Sequence, residues 1–265
     1  MPVLLILAFS VLSFGGMTAA RISFSLYGLQ LGASSAEVGG IMAMFYLFSL
    51  LLSWPIGVLA DRYSTRWLLV GGTAGGALVP YFFPALASLY IAAALIGLTL
   101  AFTNVLVQNL VGAMSTAQDR TRNFSNFAIT GSLANFIGPL IAGLTIDVLG
   151  HRQTCATIGI VLLAGIALLS VWGGVLPRTK PKARSTGNLL HTLSDRRLWV
   201  MLTVSSLAQL GNDIYLTFLP IYAHCIGLSA TTIGIVLSVF AIGSLGVRIG
   251  MVRLVAWLRM SISTA

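Results

Sequence analysis

Long apolar runs recur along this chain, with only short polar segments between them. About 20 apolar residues cross the hydrocarbon layer of a bilayer as a helix. Lipid accepts only helices or closed barrels, because it offers no partner to a free backbone group. The runs are continuous rather than alternating, which indicates helices. Since 57% of the 265 residues are hydrophobic and 8% are charged, the sequence predicts an all-α, polytopic transmembrane bundle.

Eight transmembrane spans are predicted from these runs. The first begins MPVLLILAF and has no basic start, so it is predicted to be a retained helix rather than a signal peptide. The spans cover residues 3–29, 38–60, 67–87, 89–113, 124–147, 154–175, 198–222 and 232–257.

The basic residues predict the orientation of the chain. The connector 177–197 carries six bases and one acid, and it separates a six-helix unit, 1–176, from an incomplete second unit, 198–265. With the N-terminus and the connector in the cytoplasm, ten bases lie in inner loops and one, Arg152, lies outside. We expect a multi-pass protein of the cytoplasmic (plasma) membrane. The net charge of +9 is thus explained by topology, and no nucleic-acid partner is expected.

Two segments near the ends of odd-numbered spans repeat each other. They are LYGLQLGASSAEVGG (Leu26–Gly40) and IYAHCIGLSATTIGI (Ile221–Ile235), which align at a shift of 195 residues. The shift places the seventh span on the first and predicts a duplicated six-helix unit. The matching pairs are Tyr27 with Tyr222, Gly32 with Gly227, Ser34 with Ser229, and Gly39 with Gly234.

A second repeat relates GVLADRYSTR (57–66) to GLTIDVLGHR (143–152). The first follows the second span on the predicted inner side, and the other follows the fifth span on the outer side. This is the pattern of an inverted three-plus-three repeat. The matching pairs are Gly57 with Gly143, Asp61 with Asp147, and Arg66 with Arg152.

The six helices, the basic connector and the motif G-x-L-A-D-R-x-x-x-R together resemble the major facilitator superfamily (MFS). The motif residues are Gly57, Leu59, Ala60, Asp61, Arg62 and Arg66, whereas Ser64 and Thr65 depart from the family pattern. The resemblance implies that Asp61 belongs to a cytoplasmic gate that meets the end of helix eleven. It also implies twelve helices, so we expect this chain to be a fragment or the product of a shortened gene.

The fifth span contains Gly138-Pro139 and Gly143. It resembles the Gly-Pro motif of drug–proton antiporters of this superfamily, which implies efflux. Ser125 and Ala134 replace earlier glycines of that motif, and the fourth span lacks the Arg that these antiporters often carry. An ordinary packing face of small residues is the alternative.

Charged residues inside spans are costly, so each is a candidate for function. Arg21 in the first span and Asp213 in the seventh are predicted to share a polar central cavity, which the resemblance places between helices one, four, seven and ten. Arg21 attracts an anionic group or pairs with Asp213, and Asp213 exchanges a proton; the alternatives are a fixed ion pair or an Arg21 that reaches the interface. The predicted cavity residues are Arg21, Asp213, Asn212, Gln209, Asn104, Gln108 and Asn109, with Arg248 as a candidate gate residue.

Motifs of enzymes and metal sites are missing from the sequence. The segment GGTAGG has no lysine, and His151, His191 and His224 have no second ligand at metal spacing. We therefore expect no enzymatic activity, no metal and no cofactor. The predicted function is secondary active transport of a small molecule by alternating access, driven by a proton gradient or by the substrate's own gradient, with efflux as the direction that the resemblance implies. The alternative is a non-transporting membrane protein: a relic, a fragment or a scaffold that needs a partner.

Overall fold

The computed structural model describes residues 2–62, 76, 78–116, 118–172 and 196–263, and for 2–3, 52–62, 106, 113, 121 and 248–263 it describes the backbone alone. This part of the chain is helical and contains no strand, which confirms the predicted fold class. The helices are α1 (Pro2–Gln30), α2 (Ser35–Arg62), α3 (residues 78–82), α4 (Leu86–Ala113), α5 (Arg120–Leu149), α6 (His151–Trp172), α7 (Arg196–Cys225) and α8 (Ala230–Ser263).

The described helices overlap the predicted spans, with one correction, and residues 67–75 and 77 of the third span lie outside the described residues. The third span was predicted to end at residue 87, but α3 ends at residue 82 and α4 begins at Leu86. Pro84 cannot donate a backbone hydrogen bond, and Ala85 is extended at φ −141° and ψ 155°. These two residues therefore separate the helices inside a sequence that is apolar throughout.

Five helical segments are both long and apolar enough to cross a membrane, counting described residues alone. Helix α2 adds a shorter apolar segment, Ser35–Leu51. Helix α7 has 30 residues, but Gln209, Asn212 and Asp213 interrupt its apolar sequence. The five segments are Leu4–Gln30, Leu86–Gly112, Arg122–Leu149, His151–Val171 and Ala230–Val247.

Helix α1 forms the centre of the bundle. It packs against α5 and α6 and also contacts α2, α4 and α7, whereas α2 packs mainly on α4. Its side chains Ile22 and Phe24 are almost fully buried, together with Phe45 of α2 and Ile158 of α6. Helix α5 lies between α1 and α8, and its contact with α8 is the most extensive one between the first six helices and the last two.

The two repeated segments form the same turn. We name the end of the bundle that holds the α1–α2, α5–α6 and α7–α8 turns the outer end, because the bases predict that it faces away from the cytoplasm. Gly32 and Gly227 end α1 and α7 with φ angles of +85° and +82°, which glycine adopts without strain. The backbone donors and acceptors coincide one for one: Leu31 to Tyr27, Gly32 to Leu29 and Ala33 to Gly28 in the first turn, and Ile226 to Tyr222, Gly227 to His224 and Leu228 to Ala223 in the second.

The helices that follow these turns begin differently. Ser34 caps α2 by accepting the Glu37 N–H at 3.3 Å, and Glu37 Oε2 accepts the Ser34 N–H at 2.8 Å. This reciprocal pair is a capping box. Ser229 likewise accepts the Thr232 N–H at 3.2 Å, but Thr232 brings a hydroxyl where Glu37 brings a carboxylate. The start of α8 therefore has no acidic cap from its own first turn.

Close packing of α2 on α4 yields a first prediction. A methyl group at Gly97 would lie 2.9 Å from the carbonyl carbon of Phe45, so Gly97→Ala must push two helix backbones apart. We expect it to cost about 1–3 kcal/mol of stability and to lower the melting temperature in detergent by several degrees. Gly112→Ala, in the same helix, meets open space and serves as the control. An equal melting temperature for the two variants would contradict this packing.

Candidate functional site

The carboxylate of Asp213 receives donors from three helices. Arg21 of α1 places Nη1 at 3.3 Å from Oδ1, and Tyr46 of α2 donates its hydroxyl to the same oxygen at 3.0 Å. Gln209, one turn earlier on α7, donates Nε2 to Oδ2 at 3.1 Å. Asp213 thus joins α7 to the two first helices of the bundle.

The Arg21 guanidinium lies in a largely enclosed place. The Arg21 and Asp213 side chains are only 13% and 22% exposed, and Arg21 Cζ lies 5.3 Å from the centre of the Tyr46 ring. Nη2 of Arg21 is buried and has no hydrogen-bond partner among the described residues. In such surroundings each charge depends on the other for solvation. The guanidinium also retains a donor that another molecule can use.

The sequence predicted that Arg21 and Asp213 share a central cavity, with a fixed ion pair as an alternative. Neither residue lines the described cavity between α5, α7 and α8, and their role in transport stays a prediction. The ion pair is formed, so Arg21 does not reach for the interface in this structure. Tyr46 was not predicted, because it carries neither a charge nor an amide and lies outside spans one, four and seven. Its hydroxyl among apolar neighbours in MAMFYLF was the available signal.

A cavity of about 510 Å³ adjoins this cluster, between α5, α7 and α8. The predicted residues Gln209 and Asn212 line it, and so does Asn135 of α5, which contacts Thr18 of α1 at 3.3 Å. Sequence reasoning missed the contribution of α5. The other lining residues are Ser132, Ser205, Ala208, Leu216, Leu237, Phe240, Ala241 and Ser244, so the described lining has hydroxyl, amide and apolar groups and no charge.

The polar residues predicted on helix four lie elsewhere. Asn104 is partly buried, and Gln108 and Asn109 are exposed. The lining of the cavity contains no residue of α4. Their role in transport stays a prediction.

The helix-five motif lies where α5 meets two other helices. A methyl group at Gly138 would come within 2.7 Å of Gly15 O in α1, and one at Gly143 within 2.5 Å of Ala230 O in α8. Pro139 O approaches Gly234 of α8. Small residues on α5 therefore allow close backbone contact on both sides.

Some predicted residues fall outside the described side chains. Gly57, Asp61 and Arg62 belong to the inner end of α2, where only the backbone is described. Arg66 lies outside the described residues, and Arg248 belongs to the backbone-only part of α8. The gate assignments for these residues stay predictions.

The two histidines in the described part of the chain lie at helix ends, His151 partly buried and His224 exposed. His151 stacks on Tyr27 with ring centres 5.6 Å apart, His224 belongs to the last turn of α7, and His191 lies outside the described residues. Within the part of the chain that the structure describes, no three His, Cys, Asp or Glu residues are grouped closely enough to hold a metal ion.

Residues 5–264 match the family model of the Major Facilitator Superfamily. An uncharacterized MFS-type transporter of Methanocaldococcus jannaschii is 28% identical over 166 residues, which are 60% of this chain and 42% of that protein. The inner membrane transport protein YajR of Escherichia coli is 28% identical over 165 residues, 59% of this chain and 35% of that protein. The matched part of the chain spans less than half of either relative.

Solved structures share the fold at low sequence identity. A bacterial homologue of the human lysosomal transporter Spinster, in an inward-facing and occupied conformation, has a TM-score of 0.68 at 14% identity, over 92% of this chain and 59% of that chain. The POT family transporter PepTSo has a TM-score of 0.61 at 14% identity, over 91% of this chain and 52% of that chain. These similarities concern the arrangement of helices.

The mutual dependence of the two charges can be measured. Asp213→Ala leaves the Arg21 guanidinium enclosed without its counter-ion, and we expect a loss of about 2–3 kcal/mol in reversible unfolding in mixed micelles. The double variant Arg21→Ala/Asp213→Ala should be more stable than the sum of the single losses implies, by at least about 1 kcal/mol. Tyr46→Phe, which removes one hydrogen bond, is the milder comparison. Strict additivity would contradict a coupled pair.

Proposed function

Because the chain belongs to the Major Facilitator Superfamily, we propose that it carries a small molecule across a membrane by alternating access, coupled to protons. The observation that carries this proposal is the contact of Arg21, Tyr46 and Gln209 with the single carboxylate of Asp213. This contact joins α7 of the second unit to α1 and α2 of the first unit. In such a cycle the two units move against each other.

The proposed coupling chemistry follows from the hydrogen-bond donors around the Asp213 carboxylate. As a carboxylate, Asp213 is an acceptor for all three partners. A proton on Oδ1 neutralises Asp213, weakens its attraction for Arg21 and leaves Tyr46 facing a donor instead of an acceptor. Arg21 is then a charged group in a poorly solvated place, and it favours a conformation that brings it water or substrate. Release of the proton restores the contacts.

The side chains that line the cavity favour an uncharged substrate. Its described lining offers amides at Asn135, Gln209 and Asn212, several hydroxyls and the Phe240 ring. The adjacent ion pair of Arg21 and Asp213 is internally neutral. A molecule that both donates and accepts hydrogen bonds and has one apolar face satisfies these groups, whereas an ion lacks a counter-charge in this lining.

Direction and orientation form part of the proposal. The resemblance of the Gly138-Pro139 segment to that of drug–proton antiporters supports efflux, and its close contacts with α1 and α8 suit a helix between moving parts. The distribution of bases supports a cytoplasmic N-terminus and connector in the plasma membrane.

The exposed surface of α7 favours a second candidate function, a membrane protein that requires a partner and does not transport alone. Met201, Val204 and Leu207 are each more than 60% exposed, on a helix that also carries the polar cavity residues. Reconstitution of the 265-residue chain into liposomes separates the two functions, because transport by this chain alone excludes the second.

The substrate class is tested by a flux screen. We expect neutral hydrogen-bonding compounds, such as sugars, polyols and nucleosides, to change the internal pH of proteoliposomes loaded with a pH-sensitive dye. Organic cations and anions should give no signal. Asn212→Ala should raise the half-saturating concentration about tenfold, since it removes one half-buried amide from the lining. A response confined to charged compounds would reject the neutral class.

Coupling is tested at Asp213 with the compound that gives the largest proton flux. Asp213→Asn keeps the size of the side chain and removes the titratable carboxylate, so we expect substrate-dependent proton flux to disappear while exchange of labelled substrate continues. Asp119→Asn is the matched control, because Asp119 is exposed before α5 and accepts only a local bond from Thr116. Proton flux that persists unchanged in Asp213→Asn would remove Asp213 as the coupling group.

A further inference from the structure

The carboxylate of Asp147, near the outer end of α5, reaches the first turn of α8. Oδ2 accepts the Thr231 N–H at 2.8 Å, and Oδ1 lies 3.3 Å from the Ala230 nitrogen. The Thr231 hydroxyl lies 3.4 Å from Gly143 O, one turn earlier on α5. A helix start carries free N–H groups and a partial positive charge, so a carboxylate there bonds well.

The α8 start needs this carboxylate because its own first turn supplies none. At the equivalent turn of α2, Glu37 completes the capping box with Ser34. The residue at the matching position of α8 is Thr232, and the acid comes instead from α5, a helix of the first unit. The cap of α8 is therefore also a contact between the two units.

The position of this contact relative to the cavity suggests what it controls. Asp147 follows the cavity residue Asn135 by 12 residues, about 18 Å along a helix, and Ala230 precedes Leu237 by seven, about 10 Å. The contact thus lies between the cavity and the outer end. Below it, Pro139 O approaches Gly234, and the Ser238 hydroxyl donates to Phe136 O at 2.7 Å.

We propose that Asp147 holds the outer end closed by capping α8 from α5, and that this outer contact, Asp147 with Ala230 and Thr231, must break when the cavity opens outward. The role in a transport cycle rests on the proposed function. The contact itself is a property of the chain, and it can be measured whether or not transport is observed.

The experiment uses three thiols in one chain. Ser238→Cys places a near-isosteric sensor in the buried contact between α5 and α8, where Ser238 is 2% exposed. Native Cys225 is exposed and labels in every folded sample, and native Cys155 is 1% exposed in the core and reports unfolding. Labelling with N-ethylmaleimide in nanodiscs, followed by mass spectrometry, gives the rate at each site.

In the Ser238→Cys background, Asp147→Asn should raise the labelling rate of position 238 about fivefold, the effect of losing a helix cap, with Cys225 and Cys155 unchanged. Asp119→Asn, the same chemical change before α5, should leave all three rates as they were. An unchanged rate at position 238 in Asp147→Asn overturns the proposal. A parallel rise at Cys155 overturns it too, because the carboxylate then maintains the whole fold rather than one contact.

Thr232→Glu separates capping from closure. Added to Asp147→Asn, it gives α8 an acid at the position that Glu37 has in α2. We expect it to restore hydrogen-exchange protection of the amides of residues 230–233 while position 238 still labels quickly. If Thr232→Glu also returns the labelling rate to its starting value, stability of the α8 start is sufficient and the proposed closure by Asp147 is rejected.

Discussion

The contact surfaces of α5 determine how the last two helices sit on the first six. On one side Gly138 lets α5 approach Gly15 of α1, and on the other Gly143 lets it approach Ala230 of α8. Within a bilayer there is no hydrophobic force between helices, so van der Waals contact at close backbone distance has to hold them. With α8 fixed in this way, α7 is held beside α1 and Asp213 comes within reach of Arg21.

The same packing places an ion pair in largely enclosed surroundings, with side chains that are 13% and 22% exposed. The packing of α7 on α1 places Asp213 beside Arg21. Their charges then add a preference for one conformation more than they add stability. Tyr46 and Gln209 complete the carboxylate's partners from two directions, so a change in the charge of Asp213 is felt by α1, α2 and α7 together.

The sequence predicts the helices well, because the length and continuity of apolar runs follow directly from bilayer thickness. It fails at Pro84 and Ala85, where two helices meet inside an apolar run. It identifies Arg21 and Asp213, because charge in a span is costly, but it misses Tyr46 and Asn135, whose side chains are unremarkable in a membrane helix until packing places them. The second repeat pairs Asp147 with Asp61. The partner of Asp147 on α8 could not be predicted, because it depends on a contact between helices distant in sequence.

The helices that follow the two equivalent turns differ in which single substitution can weaken them. The α2 start carries its own acid in Glu37, whereas the α8 start has Thr232 and takes a carboxylate from Asp147 of α5. A substitution that removes the Asp147 carboxylate therefore leaves the α8 start without an acidic cap, because Thr232 supplies none. The start of α2 thus depends on residues of its own first turn, whereas the start of α8 is vulnerable to a change in a different helix, α5.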